Sequence, residues 1–170
     1  GHLVLSTLHT NDAISSAVRL LDMGAPGYLV ASSLRAIVAQ RLVRRVCQRC
    51  AQPYQPDRDE LFWLGSLADD IATIRFQQGA GCDECHQTGY RGRVGVFELL
   101  EMTESMMNAL KNADTNKFSA AARASTGYQP LSKMALHYAR QGLTTVEEVL
   151  KLVEMVAEEL PAPTTANVGQ

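Results

Sequence analysis

The chain has 170 residues, a net charge of −2 at pH 7, 46% hydrophobic residues and 20% charged ones. That balance belongs to a globular protein of one ordinary domain or two small ones. It excludes a chain drawn as a whole onto nucleic acid or an anionic membrane by bulk charge, and no apolar run approaches the ~18 residues of a membrane-spanning helix.

The sequence opens on GHLVLSTLHTND with no Met and no lead-in strand, so it is expected to be the later part of a longer protein. His2 to Leu8 is apolar with little alternation, the pattern of a strand buried on both faces of a parallel sheet. Asn11 is placed as the N-cap of a first helix carrying Ile14, Ala17, Val18 and Leu21, with Gly24 at its C-terminal cap. Pro26 opens a second helix with Val30, Leu34, Ile37 and Val38 on its apolar face, and RLVRRV follows as a possible strand. Strand, helix, helix, strand is α/β in character.

Between Cys47 and Cys85 the texture changes. Pro53, Pro56 and a DRDE cluster precede LFWLGSL, IRFQQGAGC reads as a strand entering a glycine-rich turn, and YRGRVGVFELLE reads as another strand. The remainder is helical: Thr103 caps a segment with Met106, Met107 and Leu110, and Asp114 caps one with Phe118, Ala121 and Ala122. Leu131, Met134, Ala135 and Tyr138 recur up to Gly142, and Thr144 with Glu147 forms a capping box ahead of Val146, Val149, Leu150 and Val153. The tail PAPTTANVGQ has too little apolar content to pack and is expected to be disordered.

All four cysteines fall in two Cys-x-x-Cys pairs, Cys47 with Cys50 and Cys82 with Cys85. Two complete pairs with no thiol left over point to a tetrahedral, structural zinc site in a reducing compartment. The 31 residues between them exceed the ~15–20 of a compact zinc ribbon and are read as a small lobe held at its base by the metal. Two rivals compete with zinc. Cys82-Asp83-Glu84-Cys85-His86 matches the c-type haem pattern, but leaves the first pair unexplained. A redox dithiol is the other.

His2 and His9 flank the strand-like run. If the strand ends near Leu8, His9 sits in the loop beyond its carboxyl end, where open α/β sheets bind ligands. The competing reading is a histidine that only satisfies backbone groups. The arginines Arg41, Arg44, Arg45 and Arg49, and Arg91 with Arg93, are read as a solvated face with ion pairs, since no aromatics interleave them for base stacking. None of the four lysines, Lys111, Lys117, Lys133 and Lys151, follows a glycine, so the phosphate-binding loop motif is absent.

GHLVLSTLHTNDA resembles the His box of the secretion ATPases that power type II secretion and type IV pilus assembly. AIVAQRLVRRVC, the cysteine pairs, YRGRVGVFELLEMTE and GLTTVEEVLKLV resemble the segments that follow it. The resemblance runs from Gly1 to about Glu154. The cysteine pairs fit the pilus-extension and type II secretion branches rather than the retraction branch. The resemblance implies an α/β fold: the C-terminal edge of a RecA-like P-loop ATPase domain (1–46), a tetracysteine zinc lobe (47–101), a helical C-terminal subdomain (102–156) and a tail (157–170). It implies a homohexamer at the cytoplasmic face of the inner membrane, working with a platform protein and a membrane-recruiting subunit and not with nucleic acid. His2 and His9 become candidate catalytic residues that sense or position the γ-phosphate and the attacking water. ATP and Mg²⁺ would be held chiefly by segments upstream of this sequence. The alternative is a non-enzymatic zinc module that binds a partner protein.

Overall fold

The computed structural model describes residues 2–157, so the expected disordered tail lies outside the described residues. The elements in order are α1 (Ala13–Asp22), α2 (Gly27–Ser33), β1 (Ala36–Val46), β2 (Ala51–Tyr54), α3 (Arg58–Gly65), β3 (Phe76–Gly79), β4 (Tyr90–Glu101), α4 (Glu104–Lys111), α5 (Thr115–Arg123), α6 (Leu131–Arg140) and α7 (Val146–Ala157). The fold is mixed α/β. Both ladders among the described residues are antiparallel: β1 pairs with β4 and β2 with β3.

The long β1–β4 hairpin organises the molecule. Ala36 pairs with Glu101 and Val43 with Val94, and the register slips between Arg44 and Val46. Side chains alternate along each strand. One face carries Val43, Val96, Glu98 and Leu100, all buried; the other presents Val38, Leu42, Phe97 and Leu99 to solvent. Two cores pack on the buried face. One gathers α1, α2, α4 and α5 around Leu100, Met106, Leu110 and Phe118. The other joins Val43 and Val96 to Leu64, Ile71 and Phe76 from the segment between the cysteine pairs, and to Leu131, Leu136, Val146, Val149 and Leu152 from α6 and α7.

Four expectations change. Residues 2–10 form no strand, and Leu3, Val4 and Leu5 are 83%, 79% and 88% exposed. A strand exists only through its ladder, and no described strand pairs with this segment. The second helix ends at Ser33, so Ile37 and Val38 lie on β1. The backbone turns extended at Leu34, where ten residue pairs with β4 outweigh one more helical turn. Asp12, not Asn11, caps α1: its carboxylate accepts from the Ser15 amide at 2.6 Å in a reciprocal capping box. Thr144 donates to the Arg44 carbonyl at 2.8 Å, and it is the Thr145 hydroxyl that accepts from the Glu148 amide at the start of α7.

Other expectations hold. Thr103 and Asp114 cap α4 and α5 through the Met106 and Lys117 amides. Gly24, at φ +86°, closes α1: its amide reaches the Leu21 carbonyl, and the Ala25 amide reaches Leu20. That pair of bonds satisfies two of the orphan carbonyls at a helix end, and the left-handed backbone suits a residue without Cβ.

Candidate functional site

The two cysteine pairs meet at the base of the β1–β4 hairpin. Cys47 and Cys50 lie just past β1, and Cys82 and Cys85 just before β4. Each pair is a tight turn, closed by the Cys50 amide on the Cys47 carbonyl and by the Cys85 amide on the Cys82 carbonyl, both at 3.2 Å. Main-chain bonds cross-link the turns: the Cys47 amide donates to the Gly89 carbonyl and the Ala80 amide to the Cys50 carbonyl, each at 2.9 Å. Gly79 and Gly89 approach so closely that a Cβ on either would overlap the other's backbone.

All four Sγ atoms lie within 4.8 Å of one another. The Cys47–Cys82 and Cys50–Cys85 separations are 3.8 Å, and Cys82–Cys85 is 3.7 Å. A disulfide would bring two sulfurs to about 2.05 Å. Four sulfurs held about 2.3 Å from one central ion would instead form a tetrahedron with edges of about 3.8 Å. The thiols therefore fit a four-coordinate metal ion. Cys47 and Cys85 are buried, Cys50 and Cys82 half-buried. Burial opposes ionisation of Cys85, but the Cys82 and Gly89 amides donate to its sulfur at 3.2 and 3.3 Å and, with its neighbours, bring it down to about 6. Burial and the three adjacent thiols push Cys50 up to about 12. Cys82 and Cys85 are both committed to the cluster, which leaves the haem reading no separate pair to use. His86 sits exposed in the left-handed region immediately after it.

The arginines at the hairpin base make contacts within the chain. Arg49 and Arg91 both pair with Glu84, at 2.9 and 2.6 Å. Arg44 lies 3.9 Å over the Tyr90 ring and reaches Glu147 and Glu148, which Lys151 also meets. This network fastens α7 to the hairpin.

At the opposite end of the hairpin, His2 and His9 are exposed on the extended segment. His9 lines an open groove of about 890 Å³ between residues 4–11 and β1, together with Thr10, Asn11, Gln40 and Arg41; His2 does not. The structure therefore sets His9 beside an arginine and leaves His2 apart from it.

Two features were not anticipated from sequence. Glu98 is 1% exposed and accepts from the Ala13 amide at 2.9 Å, the Leu131 amide at 3.1 Å and the Tyr128 hydroxyl at 2.9 Å. Burial raises its pKa despite those donors. The available signal was a carboxylate on the same strand face as Val96 and Leu100. Arg41 donates to the Thr10 carbonyl at 3.0 Å and to Asn11 Oδ1 at 2.6 Å, a long-range contact that no local pattern announces.

Comparison with known proteins places this architecture. The chain belongs to the Type II/IV secretion system protein family, whose model matches residues 1–151. It is 41% identical to the Type II secretion system protein E of Pseudomonas aeruginosa over 89% of this chain and 30% of that protein. It is 36% identical to the Type IV pilus assembly ATPase PilB of the same organism (91% and 27%), and 40% identical to the PilB of Thermus thermophilus (88% and 17%). The chain spans less than a third of the length of these relatives. No helix among the described residues is long and apolar enough to cross a membrane.

Proposed function

We propose that this chain is the C-terminal segment of a hexameric, RecA-like ATPase that hydrolyses ATP to drive pilin or pseudopilin assembly, in type IV pilus formation or type II secretion. The family match over residues 1–151, to relatives that include pilus assembly ATPases, carries this reading. The cysteine pairs assign it to the extension or secretion branch. In that role it works at the cytoplasmic face of the inner membrane, against a platform protein and with a membrane-recruiting subunit. Residues 1–46 are the edge of the ATPase domain, and residues 102–156 the helical subdomain.

Zn²⁺ is the metal that suits four thiolates, held by Cys47, Cys50, Cys82 and Cys85 as a closed structural site. It is redox-inert and contributes folding free energy, with no open position for substrate. ATP and Mg²⁺ belong to the longer protein. His9, with His2 nearer the sequence start, serves to position the γ-phosphate and attacking water; phosphoryl transfer depends on such positioning and on electrostatic stabilisation.

In the full-length ATPase, His9→Ala is expected to lower turnover by roughly 10²-fold, the scale of a lost positioning group. Turnover near wild type would show that His9 has a structural role only. This chain by itself is expected not to hydrolyse ATP, and stoichiometric Mg²⁺-dependent hydrolysis by it would overturn the assignment of the phosphate site to other segments.

A further inference from the structure

Resting on the reading of His9 as a nucleotide-positioning residue, we infer that Arg41 and Glu98 act together as a clamp that sets the pose of the His9 loop. Through Glu98, the clamp also links that loop to the helical C-terminal part.

The two side chains lie on the inner face of the hairpin, one register step apart: Arg41 pairs with Val96 and Ala39 with Glu98. They grip the turn after His9 from opposite chemical sides. Arg41 Nη2 donates to the Thr10 carbonyl and to Asn11 Oδ1, just ahead of α1. Glu98 Oε1 accepts from the amide of Ala13, the first residue of α1. Four consecutive residues are thus tied to the rigid sheet at both ends. A contact between the Thr10 and Ser16 hydroxyls closes the turn on the helix.

A carboxylate in this core costs desolvation unless its oxygens are satisfied. Here they are, and by groups that favour an anion. The N-termini of α1 and α6 both converge on Glu98, presenting orphan amides and the positive ends of their dipoles. The N-cap of α6 is Pro130, which makes no side-chain capping bond, so Glu98 Oε2 caps this helix from the sheet through the Leu131 amide. Tyr128, just before α6, donates its hydroxyl to Glu98 Oε1, the same oxygen that holds the Ala13 amide. A displacement of the start of α6 is therefore felt at the start of α1, three residues beyond the loop's Thr10. Neither Arg41 nor Glu98 is assigned contact with nucleotide; both act through the loop.

Two readouts test the clamp. In this chain, the ring resonances of ¹³C-labelled histidines report on the loop directly. Arg41→Ala and Glu98→Gln are expected to shift or broaden the His9 signal and leave those of His86 and His137 in place. An unmoved His9 signal in both variants, with the fold retained, would overturn the clamp whatever the ATPase does.

In the full-length ATPase, Arg41→Ala is expected to lower kcat by roughly 10-fold or more while KM for ATP stays within about twofold, as for a misplaced positioning group. In a His9→Ala background the same substitution is expected to cost less than about twofold, because residues acting as one unit are non-additive. If His9→Ala is impaired but Arg41→Ala has wild-type kcat, or if the two losses simply multiply, the clamp fails and the role of His9 survives. Wild-type turnover in His9→Ala would remove the nucleotide reading itself, and the catalytic part of this inference with it.

Discussion

The two ends of the β1–β4 hairpin differ sharply. At the cysteine end the chain supplies a metal's four ligands and much else that holds the region: thiols at tetrahedral spacing, main-chain bonds across both turns, ion pairs for Arg44, Arg49 and Arg91, and a core shared with α6 and α7. At the histidine end, Leu3, Val4 and Leu5 are exposed and unpaired, beside an open groove and an apolar strand face carrying Val38, Leu42, Phe97 and Leu99. Each end has a buried core, and each exposes some apolar residues, Phe62 and Trp63 on α3 among them; the contrast lies in the segment before α1, whose apolar run packs on nothing. The cysteine end is built as a self-contained structure. The histidine end carries apolar surface that the described residues leave uncovered.

Metal removal should break the comparison most severely. If the cysteine end is self-contained because an ion closes it, stripping the metal is expected to lower the melting temperature by roughly 10 °C or more, since structural zinc contributes directly to folding. The loss of order should centre on residues 47–89, and amide exchange of the metal-loaded and stripped chain measures it. Unchanged protection in that segment would mean that main-chain bonds suffice.

Next in size is Glu98→Ala. It leaves two buried amides and a phenol without their acceptor, at a cost of about 2–4 kcal/mol measurable by urea unfolding. A loss under about 0.5 kcal/mol, the scale of neutral surface changes, would show that the helix starts are satisfied some other way.

Glu147 sharpens the picture at smaller scale. The hydrogen bond from Lys151, followed by those of its other partners, holds its carboxyl down at about 2 against an ordinary value of 4.5. Its contribution is therefore present above about pH 4.5 and lost as pH falls from there toward about 2. Because the side chain is 55% exposed, solvent screening limits the effect to about 0.5 kcal/mol. Glu147→Gln should destabilise by that amount at pH 7 and by nothing near pH 2. An equal loss at both pH values would contradict the ion-pair account.

Smallest of all should be Leu5→Ser, which removes an exposed side chain and is expected to change the stability of this chain by less than about 0.5 kcal/mol. A larger loss would show that the histidine end is packed in solution.

The two ends also differed in how much the sequence revealed. The cysteine site was legible because its ligands are rare residue types at fixed local spacing. The helices after Glu101 were legible through caps and apolar period, as at Thr103 and Asp114. What escaped was long-range. Whether Ile37 and Val38 continue a helix or start a strand is decided by β4, sixty residues away. HLVLSTL has a strand's composition, but no described strand pairs with it, and composition cannot supply a ladder. Asn11 and Asp12 are both competent caps, and Arg41 settles the choice by engaging Asn11. Glu98 was readable in principle as a charge on an apolar strand face, but its partners on α1 and α6 could only come from the fold.

The most direct measurement is the metal content of the purified chain beside its thiol count. About one zinc per molecule, with the four cysteines unreactive until the protein is denatured or the metal removed, is the predicted result. A folded chain with no metal and four freely titrating thiols would contradict it.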